Sequence, residues 1–383
     1  MQKVLHICIV SHNGYGAISG GTIGFIGGVE RQTSLLARWL VGRGHKVSFL
    51  TWDEGGPTEE MIDGVRVIKI CRKDAGLPGL RFFHPKWTGL NAALAKADAD
   101  VYFQNCGECV TGQVALWCRA RKKPFVFSIA SDAECIIPHE GLFTRRERIL
   151  CQIGIRNADR IVAQTERQRL LLRNHYGREA TRIGMPCPEP ADFFYTPRHG
   201  ASFGRVVWVG RVWMEKRPEW FLEIAEACPE VQFDLIGPGF STAEYGHCFS
   251  DGIFKRAEAV RNLKVHGALT RDQVISFYKM ADLLCCTSKY EGFPNTFLEA
   301  WSLGVPVVSS FDPDGLIEEK RLGIFAADPC DLAVGIRKLF EDDVLYAEHS
   351  VNCRTYFEDC HRVDACLSDV LSILEQTASI ERA

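Results

Sequence analysis

Residues 282–310 read DLLCCTSKYEGFPNTFLEAWSLGVPVVSS, and their texture decides the fold. LLCC is an apolar run of strand length. Ser288 to Thr296 is polar and turn-rich, and from Phe297 the apolar residues take helical spacing until Gly304, where VPVVSS opens a second apolar run. Strand, loop, helix and strand in so short a span make a parallel unit, because parallel strands need a crossover between them. Pro294 suits the first helical turn, where its missing N–H would be unpaired anyway. The helix N-terminus then points N–H groups and its positive dipole end at the strand-end edge, an anion site suited to a pyrophosphate. Glu291, in the loop, is placed to reach a sugar hydroxyl. Glu299, more than a turn inside the helix beside Phe297, Leu298, Ala300 and Trp301, needs a partner if buried. Two adjacent ribose hydroxyls would supply one. A solvated loop acid and an acid at the rim of a buried face are the bland readings, and the shared context weakens both.

The same alternation extends outward. RVVWVG, VQFDLIG, NLKVHG and VPVVSS are candidate strands of the C-terminal half, interleaved with EWFLEIAEACP, RDQVISFYKM and NTFLEAWSLG. Upstream, KVLHICIV, HKVSFLT, VRVIKIC, ADVYF, PFVFSIA and DRIVAQ alternate with the helix VERQTSLLARWLVGRG and helical stretches at 91–96, 111–121 and 145–157. Between the two series, MPCPEPADFFYTPRHGASFG holds four prolines and no helical period, and reads as a linker. A length of 383 residues also exceeds what one core usually organises. The expected fold is α/β: two doubly wound Rossmann-like domains facing each other across a cleft. The N-terminal domain takes residues 1–187, joined by a C-terminal helix from about 355 to 383 that crosses back to it, and the second domain takes 188–354. Ligands of such sheets bind beyond the carboxyl ends of the strands.

Composition excludes several classes. A net charge of −3 argues against nucleic-acid binding through bulk charge. The basic clusters at 119–123 and 145–148 read first as solvated helix faces, and second as docking patches for an anionic membrane or acceptor. No segment approaches membrane-spanning length, and the first residues read as a buried strand rather than a signal peptide, so a cytoplasmic protein with peripheral contact at the inner membrane face is expected. Many of the 16 cysteines lie in apolar runs, where a thiol acts as a small hydrophobe. Cys106-Gly-Glu-Cys109 has no second pair at zinc spacing, and its structural reading is preferred.

Three further stretches carry chemistry. Val209-Gly210-Arg211 with Lys216 puts two cations after a strand end, a fork and a point charge for phosphate. Ile236-Gly237-Pro238-Gly239 puts glycine at another strand end. In the loop from Ser11 to Gly28, Gly27-Gly28 immediately precede a helix, again an anion-binding geometry. This loop has no GxGxxG fingerprint after a tight turn and no acid convincingly at the ribose distance, which counts against a dinucleotide-binding dehydrogenase. A mobile loop over the cleft is expected.

With these residues in view, the chain resembles the retaining glycosyltransferases of the GT-B fold, glycosyltransferase family 4, over nearly its whole length. The resemblance rests on Gly28-Val29-Glu30-Arg31, Asn157-Ala158-Asp159-Arg160-Ile161, Val209-Gly210-Arg211 with Lys216, and above all the Glu–seven residues–Glu element from Glu291 to Glu299 followed by Gly304-Val305-Pro306-Val307-Val308. It implies that Arg211 and Lys216 neutralise the donor diphosphate and that Glu291 contacts the transferred sugar. Backbone amides over Gly292, Phe293, Pro294, Asn295 and Thr296 would hold sugar and phosphate, and Glu299 would bind the ribose. Gly27, Gly28, Gly210 and Gly237 would complete the donor surroundings. No cofactor and no metal are required on this pattern. The partners are a UDP- or GDP-sugar and a glycan or lipid-linked acceptor in cell-surface polysaccharide or glycolipid synthesis. Configuration is retained by front-face attack, with the leaving phosphate taking the acceptor's proton. The chain departs from the family where many members carry His before Asp: here Ser131-Asp132 stand on the acceptor side, with His139 an ordinary loop histidine nearby. It departs again at Phe311-Asp312-Pro313-Asp314-Gly315. A non-catalytic sugar-nucleotide-binding subunit and a nucleotide-sugar epimerase are the alternatives.

Overall fold

The computed structural model describes residues 3–20, 27–136, 144–190, 204–239 and 248–380. The chain divides into two compact units, one of residues 1–184 with 364–383 and one of residues 185–363. His139, Gly21, Gly24 and most of the proline-rich stretch lie outside the described residues.

The strands of the first unit are β1 (His6–Val10), β2 (Lys46–Thr51), β3 (Glu59–Ile62), β4 (Val65–Lys69), β5 (Val101–Asn105), β6 (Phe125–Ser128), β7 (Arg160–Ala163) and β8 (Thr181–Arg182). They form one sheet in the order β3-β4-β2-β1-β5-β6-β7-β8. The helices are α1 (Tyr15–Ser19), α2 (Gly28–Gly42), α3 (Thr88–Ala97), α4 (Cys109–Ala120), α5 (Arg145–Asn157) and α6 (Glu166–Tyr176). All neighbouring strands are parallel except β3 and β4. That edge hairpin departs from the parallel sheet read in the sequence. It turns on Asp63 and Gly64, both left-handed at φ 49° and 77°, the Asp-Gly pair that suits a two-residue hairpin. The glycine-rich loop after β1 also differs from expectation, since residues 15–19 of it are helical.

The second unit contains β9 (Arg205–Val209), β10 (Gln232–Ile236), β11 (Leu263–Gly267), β12 (Leu283–Cys286), β13 (Val307–Ser309) and β14 (Gly323–Phe325), ordered β11-β10-β9-β12-β13-β14. Its helices are α7 (Pro218–Ala227), α8 (Cys248–Ala257), α9 (Arg271–Met280), α10 (Asn295–Trp301), α11 (Leu316–Glu319), α12 (Pro329–Glu341) and α13 (Asp343–Cys360). Every strand pair is parallel. Successive strand residues point to opposite faces, and helices cover both. Val206 and Trp208 therefore enter one core with Phe221 and Phe233, while Val207 enters another with Phe297, Trp301 and Phe357. Leu283 and Cys285 alternate with Leu284 and Cys286 in the same way. This two-sided burial explains why the strands read as continuous apolar runs.

The last helix, α14 (Val363–Ala378), belongs to the first unit from Asp364 onward. Leu367, Leu371 and Leu374 are buried at helical spacing. Asp364 accepts a hydrogen bond from the Trp39 indole N–H at 2.7 Å and pairs with Arg43 at 2.7 Å, which ties α14 to α2. Among the described residues, no helix is long and apolar enough to cross a membrane.

Each sheet has one place where the strand order reverses. In the second unit the chain runs from β9 to β10 and β11 on one side, then returns to place β12 on the other side of β9. In the first unit β2 lies on one side of β1 and β5 on the other. At such a point the loops leaving two neighbouring strands diverge and open a crevice at the carboxyl edge.

Candidate active site

The reversal in the second unit brings together the loops after β9 and β12. The Lys216 ammonium pairs with the Glu291 carboxylate, and the two side chains are 28% and 16% exposed. The loops are bound by more than this pair. Thr287 donates its hydroxyl to the Lys216 carbonyl at 2.6 Å, the Trp208 indole N–H donates to Thr287 Oγ1 at 3.0 Å, and the Lys289 amide donates to the Glu215 carbonyl at 2.8 Å. Arg217 holds the junction from beneath. It donates to the carbonyls of Thr287 at 2.7 Å and Ser288 at 3.0 Å and to the Ser310 hydroxyl at 2.8 Å, and its guanidinium stacks 3.7 Å from the Trp220 ring. Burial lowers its pKa from the ordinary value, and the nearby Glu219 works against that. Sequence reasoning passed over Arg217 because it stands beside Lys216 in one basic run. Only its left-handed backbone, φ 45°, turns it away from its neighbour.

Gly210 follows β9, and its amide donates to the Ile236 carbonyl at 3.0 Å. Gly237 stands beside it with φ 150°, and a Cβ there would lie 1.6 Å from the Gly210 carbonyl oxygen. Glycine at 237 is thus required by the backbone of the next strand. Arg211 follows Gly210 on the exposed side of the same edge.

After β12, Gly292, Phe293 and Pro294 are buried, while Asn295, Thr296 and Glu299 are half-buried. Pro294 is the residue before α10, with φ −65° and ψ 121°, rather than a member of its first turn. Phe293 packs 5.1 Å from the His361 ring and 6.1 Å from Trp301. Its side chain anchors the loop in the core, which leaves the backbone as the part of Phe293 that a ligand could meet. Glu299 sits in the middle of the seven-residue α10.

The sequence matches the description "Glycosyl transferase 4-like domain" over residues 27–187 and "Glycosyl transferases group 1" over residues 204–342. The chain belongs to the GT-B glycosyltransferases. Among solved structures it is similar to sucrose-phosphate synthase from Thermosynechococcus elongatus, at TM-score 0.79 and 19% identity over 97% of this chain and 98% of that one. It is also similar to HepE from Anabaena in complex with UDP and glucose, at TM-score 0.71 and 15% identity over 97% of this chain and 100% of that one. Both likenesses concern the fold. In sequence it is 26% identical to mannosylfructose-phosphate synthase from Agrobacterium fabrum, over 54% of this chain and 51% of that protein. It is 26% identical to D-inositol 3-phosphate glycosyltransferase from Mycolicibacterium vanbaalenii, over 55% of this chain and 52% of that protein. The match thus spans about half the length of these relatives.

In the glycosyltransferase's first unit, the carboxyl edge carries the loops after β1, β5 and β6. Ser131 accepts a hydrogen bond from the Ala133 amide at 3.1 Å, and Asp132 accepts from Arg167 at 2.9 Å. At the start of α2 the Gly27 amide donates to Glu30 at 3.0 Å. A carboxylate of the helix's own first turn thus takes the Gly27 amide as a capping contact. The sequence reading also passed over two groups here. His12, just after β1, lies with Nε2 2.9 Å from Glu108 Oε2, just after β5. Burial alone would raise the Glu108 carboxyl, but the His12 and Lys73 charges outweigh it and hold the group below its ordinary value. Glu134, fully enclosed, accepts from the Ala130 amide at 3.1 Å and is also bonded by the Gly107 amide and the Cys106 thiol. Burial pushes its carboxyl up to about 7. The thiols of Cys106, Cys109 and Cys151 are likewise raised by burial, which keeps them protonated. His12 and Glu108 come from distant parts of the chain, and no local pattern marks either.

Proposed function

We propose that the chain transfers a sugar from a UDP- or GDP-sugar to a hydroxyl of a glycan or lipid-linked acceptor, with retention of anomeric configuration and without a required metal ion, in cell-surface polysaccharide or glycolipid synthesis. The observation that carries this reading is the Lys216–Glu291 pair at the point where the strand order reverses between β9 and β12. A cation beside the carboxyl ends of two diverging strands is suited to a diphosphate. A carboxylate alongside it accepts hydrogen bonds from sugar hydroxyls. On binding donor the pair divides: Lys216, with Arg211, turns to the diphosphate, and Glu291 turns to the sugar. Charge developing on the departing diphosphate is then met by Lys216, whose backbone is held by Thr287, and by Arg211, and preplaced cations of this kind lower a transfer barrier. Glu299 takes the ribose. The relatives support the substrate classes: HepE is solved with UDP-glucose, and a further relative, 27% identical over 38% of this chain, is an Escherichia coli galactosyltransferase acting on a GlcNAc-diphosphoundecaprenol.

The test is transfer or slow donor hydrolysis with a panel of UDP- and GDP-sugars, in chelator, for the wild type and for Lys216→Ala and Arg211→Ala. Each substitution is expected to lower turnover on the order of 10²-fold or more while the unfolding midpoint is kept. Near-wild-type turnover in both variants would place the donor elsewhere, and loss of wild-type activity in chelator, restored by a divalent ion, would refute the metal-free mechanism.

A further inference from the structure

We propose that the first unit docks on an anionic lipid bilayer through residues 72–87 together with the first turn of α5. The docking does not depend on the transferase reading, which supplies only its use, the delivery of a lipid-linked acceptor to the first unit's crevice. The two basic clusters of the sequence part company here. At 119–123, Arg119 donates to Asn157 at 2.9 Å and Lys123 pairs with Asp98 at 2.8 Å, so the chain itself takes up two of the cations. That cluster also follows the last turn of α4, at the amino edge of the sheet, away from the crevice. At 145–148 the one acid, Glu147, serves as a helix cap, accepting from the Thr144 amide at 2.8 Å and hydroxyl at 3.0 Å. Arg145 makes no ion pair among the described residues.

The docking face is built at the carboxyl edge. β4 ends there at Lys69, residues 72–87 lead on from it into α3, and α5 begins at the same edge because it follows β6. The Arg146 guanidinium lies 3.8 Å from the centre of the Phe82 ring and joins the two segments. Both border the loop after β5, where Glu108 feels the charge of Lys73 and Cys109 that of Arg146. Within the first segment the Leu80 and Arg81 amides donate to the Leu77 carbonyl at 3.1 and 2.9 Å. This tight turn leaves two leucines pointing outward. Leu77, Leu80 and Phe83 are 69, 60 and 57% exposed, and Ile149 on α5 is 58% exposed. A solvated basic face has no use for four large apolar side chains left this bare on one edge.

Charge decides what covers them. The whole chain carries −3, yet residues 72–87 and 144–149 together hold seven cations against two acids. A local excess of this kind draws an anionic partner. A second copy of the chain is disfavoured, because a two-fold contact would set the excess against itself. Cations interleaved with protruding apolar groups match the boundary layer of a bilayer. There the leucines and Phe83 enter the acyl region, while Arg81, Lys86 and Arg145 stay among the phosphate headgroups. The face lies beside the loop after β5, so a lipid-linked acceptor would reach the crevice without leaving its membrane.

The experiment is flotation of the full chain with vesicles of phosphatidylcholine alone and of phosphatidylcholine mixed equally with phosphatidylglycerol. Binding is expected to the anionic vesicles, little to the neutral ones, and less as salt is raised. Arg81→Gln and Arg145→Gln should each weaken it roughly fivefold. Leu80→Ser and Phe83→Ser should each weaken it on the order of tenfold. Val344→Ser, at an exposed site on the second unit, should change nothing. All five variants should keep the wild-type unfolding midpoint and affinity for UDP and GDP. No binding to anionic vesicles, or equal binding to both kinds, overturns the proposal. So does binding that the four substitutions leave intact, because the membrane then meets another face. A wild-type dimer in sedimentation velocity without lipid, made monomeric by Leu80→Ser, would give the face to a second copy and overturn it as well. Vesicle binding by a chain that binds no nucleoside diphosphate would leave the docking in place and remove the transferase reading alone.

Discussion

Replacing Glu134 with Gln should remove a defined part of the pH dependence of the first unit's stability. The carboxyl is buried beneath the loops after β5 and β6, and burial pushes it up to about 7 from an ordinary 4.5. In the unfolded chain it ionises near the ordinary value. Between these two pH values the unfolded state therefore carries fewer protons than the folded one, and stability falls as pH rises. Below the ordinary value both states are protonated, and above about 7 both are ionised, so the loss is confined to that window. A displacement of this size corresponds to about 3 kcal/mol. Other carboxyls titrate in the same range, so the quantity to read is the difference between wild type and Glu134→Gln, which cannot ionise. Because the two units need not unfold together, the assay is urea-dependent hydrogen exchange on peptides from β6 and from β12 at pH 5 and pH 8. Protection of β6 should fall by up to about 3 kcal/mol in the wild type and much less in the variant, with β12 unchanged between the two proteins. Equal pH dependence of β6 in both would refute the reasoning, and would mean that Glu134 is ionised at pH 5 through its bonds from Ala130, Gly107 and Cys106.

Two further predictions concern the second unit. If Glu299 holds the ribose and Glu291 the sugar, Glu299→Gln should weaken both free nucleoside diphosphate and full donor by roughly 1.5–3 kcal/mol per lost charge-assisted bond. Glu291→Gln should spare the diphosphate and depress turnover; equal weakening of diphosphate binding by the two substitutions, measured by calorimetry, would contradict the assignment. Arg217→Lys keeps a charge but lacks the fork that reaches Thr287, Ser288 and Ser310 at once. Leaving carbonyls unpaired should destabilise the second unit by about 2 kcal/mol after allowance for its partial exposure, and an unchanged urea midpoint would rule out the clamp.

The fold was legible because both sheets are covered on both faces. Strands such as RVVWV and LLCC then become apolar runs, and the helices between them announce their period. Where that condition fails, the reading failed. β3 is an edge strand, EEMI, partly exposed and half polar, and no apolar run marks it. The Asp63-Gly64 pair was the available signal. Pro294 shows a finer limit. A proline before a short apolar stretch suits either the cap or the first turn, and the backbone at ψ 121° decides for the cap.

The candidate site was legible to the extent that its chemistry is local. Glu291, Lys216 and Arg211 stand in short segments whose strand-end placement follows from the pattern, so their positions could be read before their contacts. A contact between segments is a different kind of fact. Arg217 and Lys216 are adjacent in sequence and equal in charge, yet one points to backbone carbonyls of the β12 loop and the other to Glu291. Their difference is set by a left-handed residue in a turn whose geometry no residue type dictates. His12 and Glu108 are harder still. Neither lies in a recognisable motif, and what joins them is the strand order, with β5 placed beside β1 after the chain has built β2, β3 and β4 on the other side. Once that order is known, the loops flanking the crevice of each sheet follow from the reversal, and the charged groups on them can be sought by position.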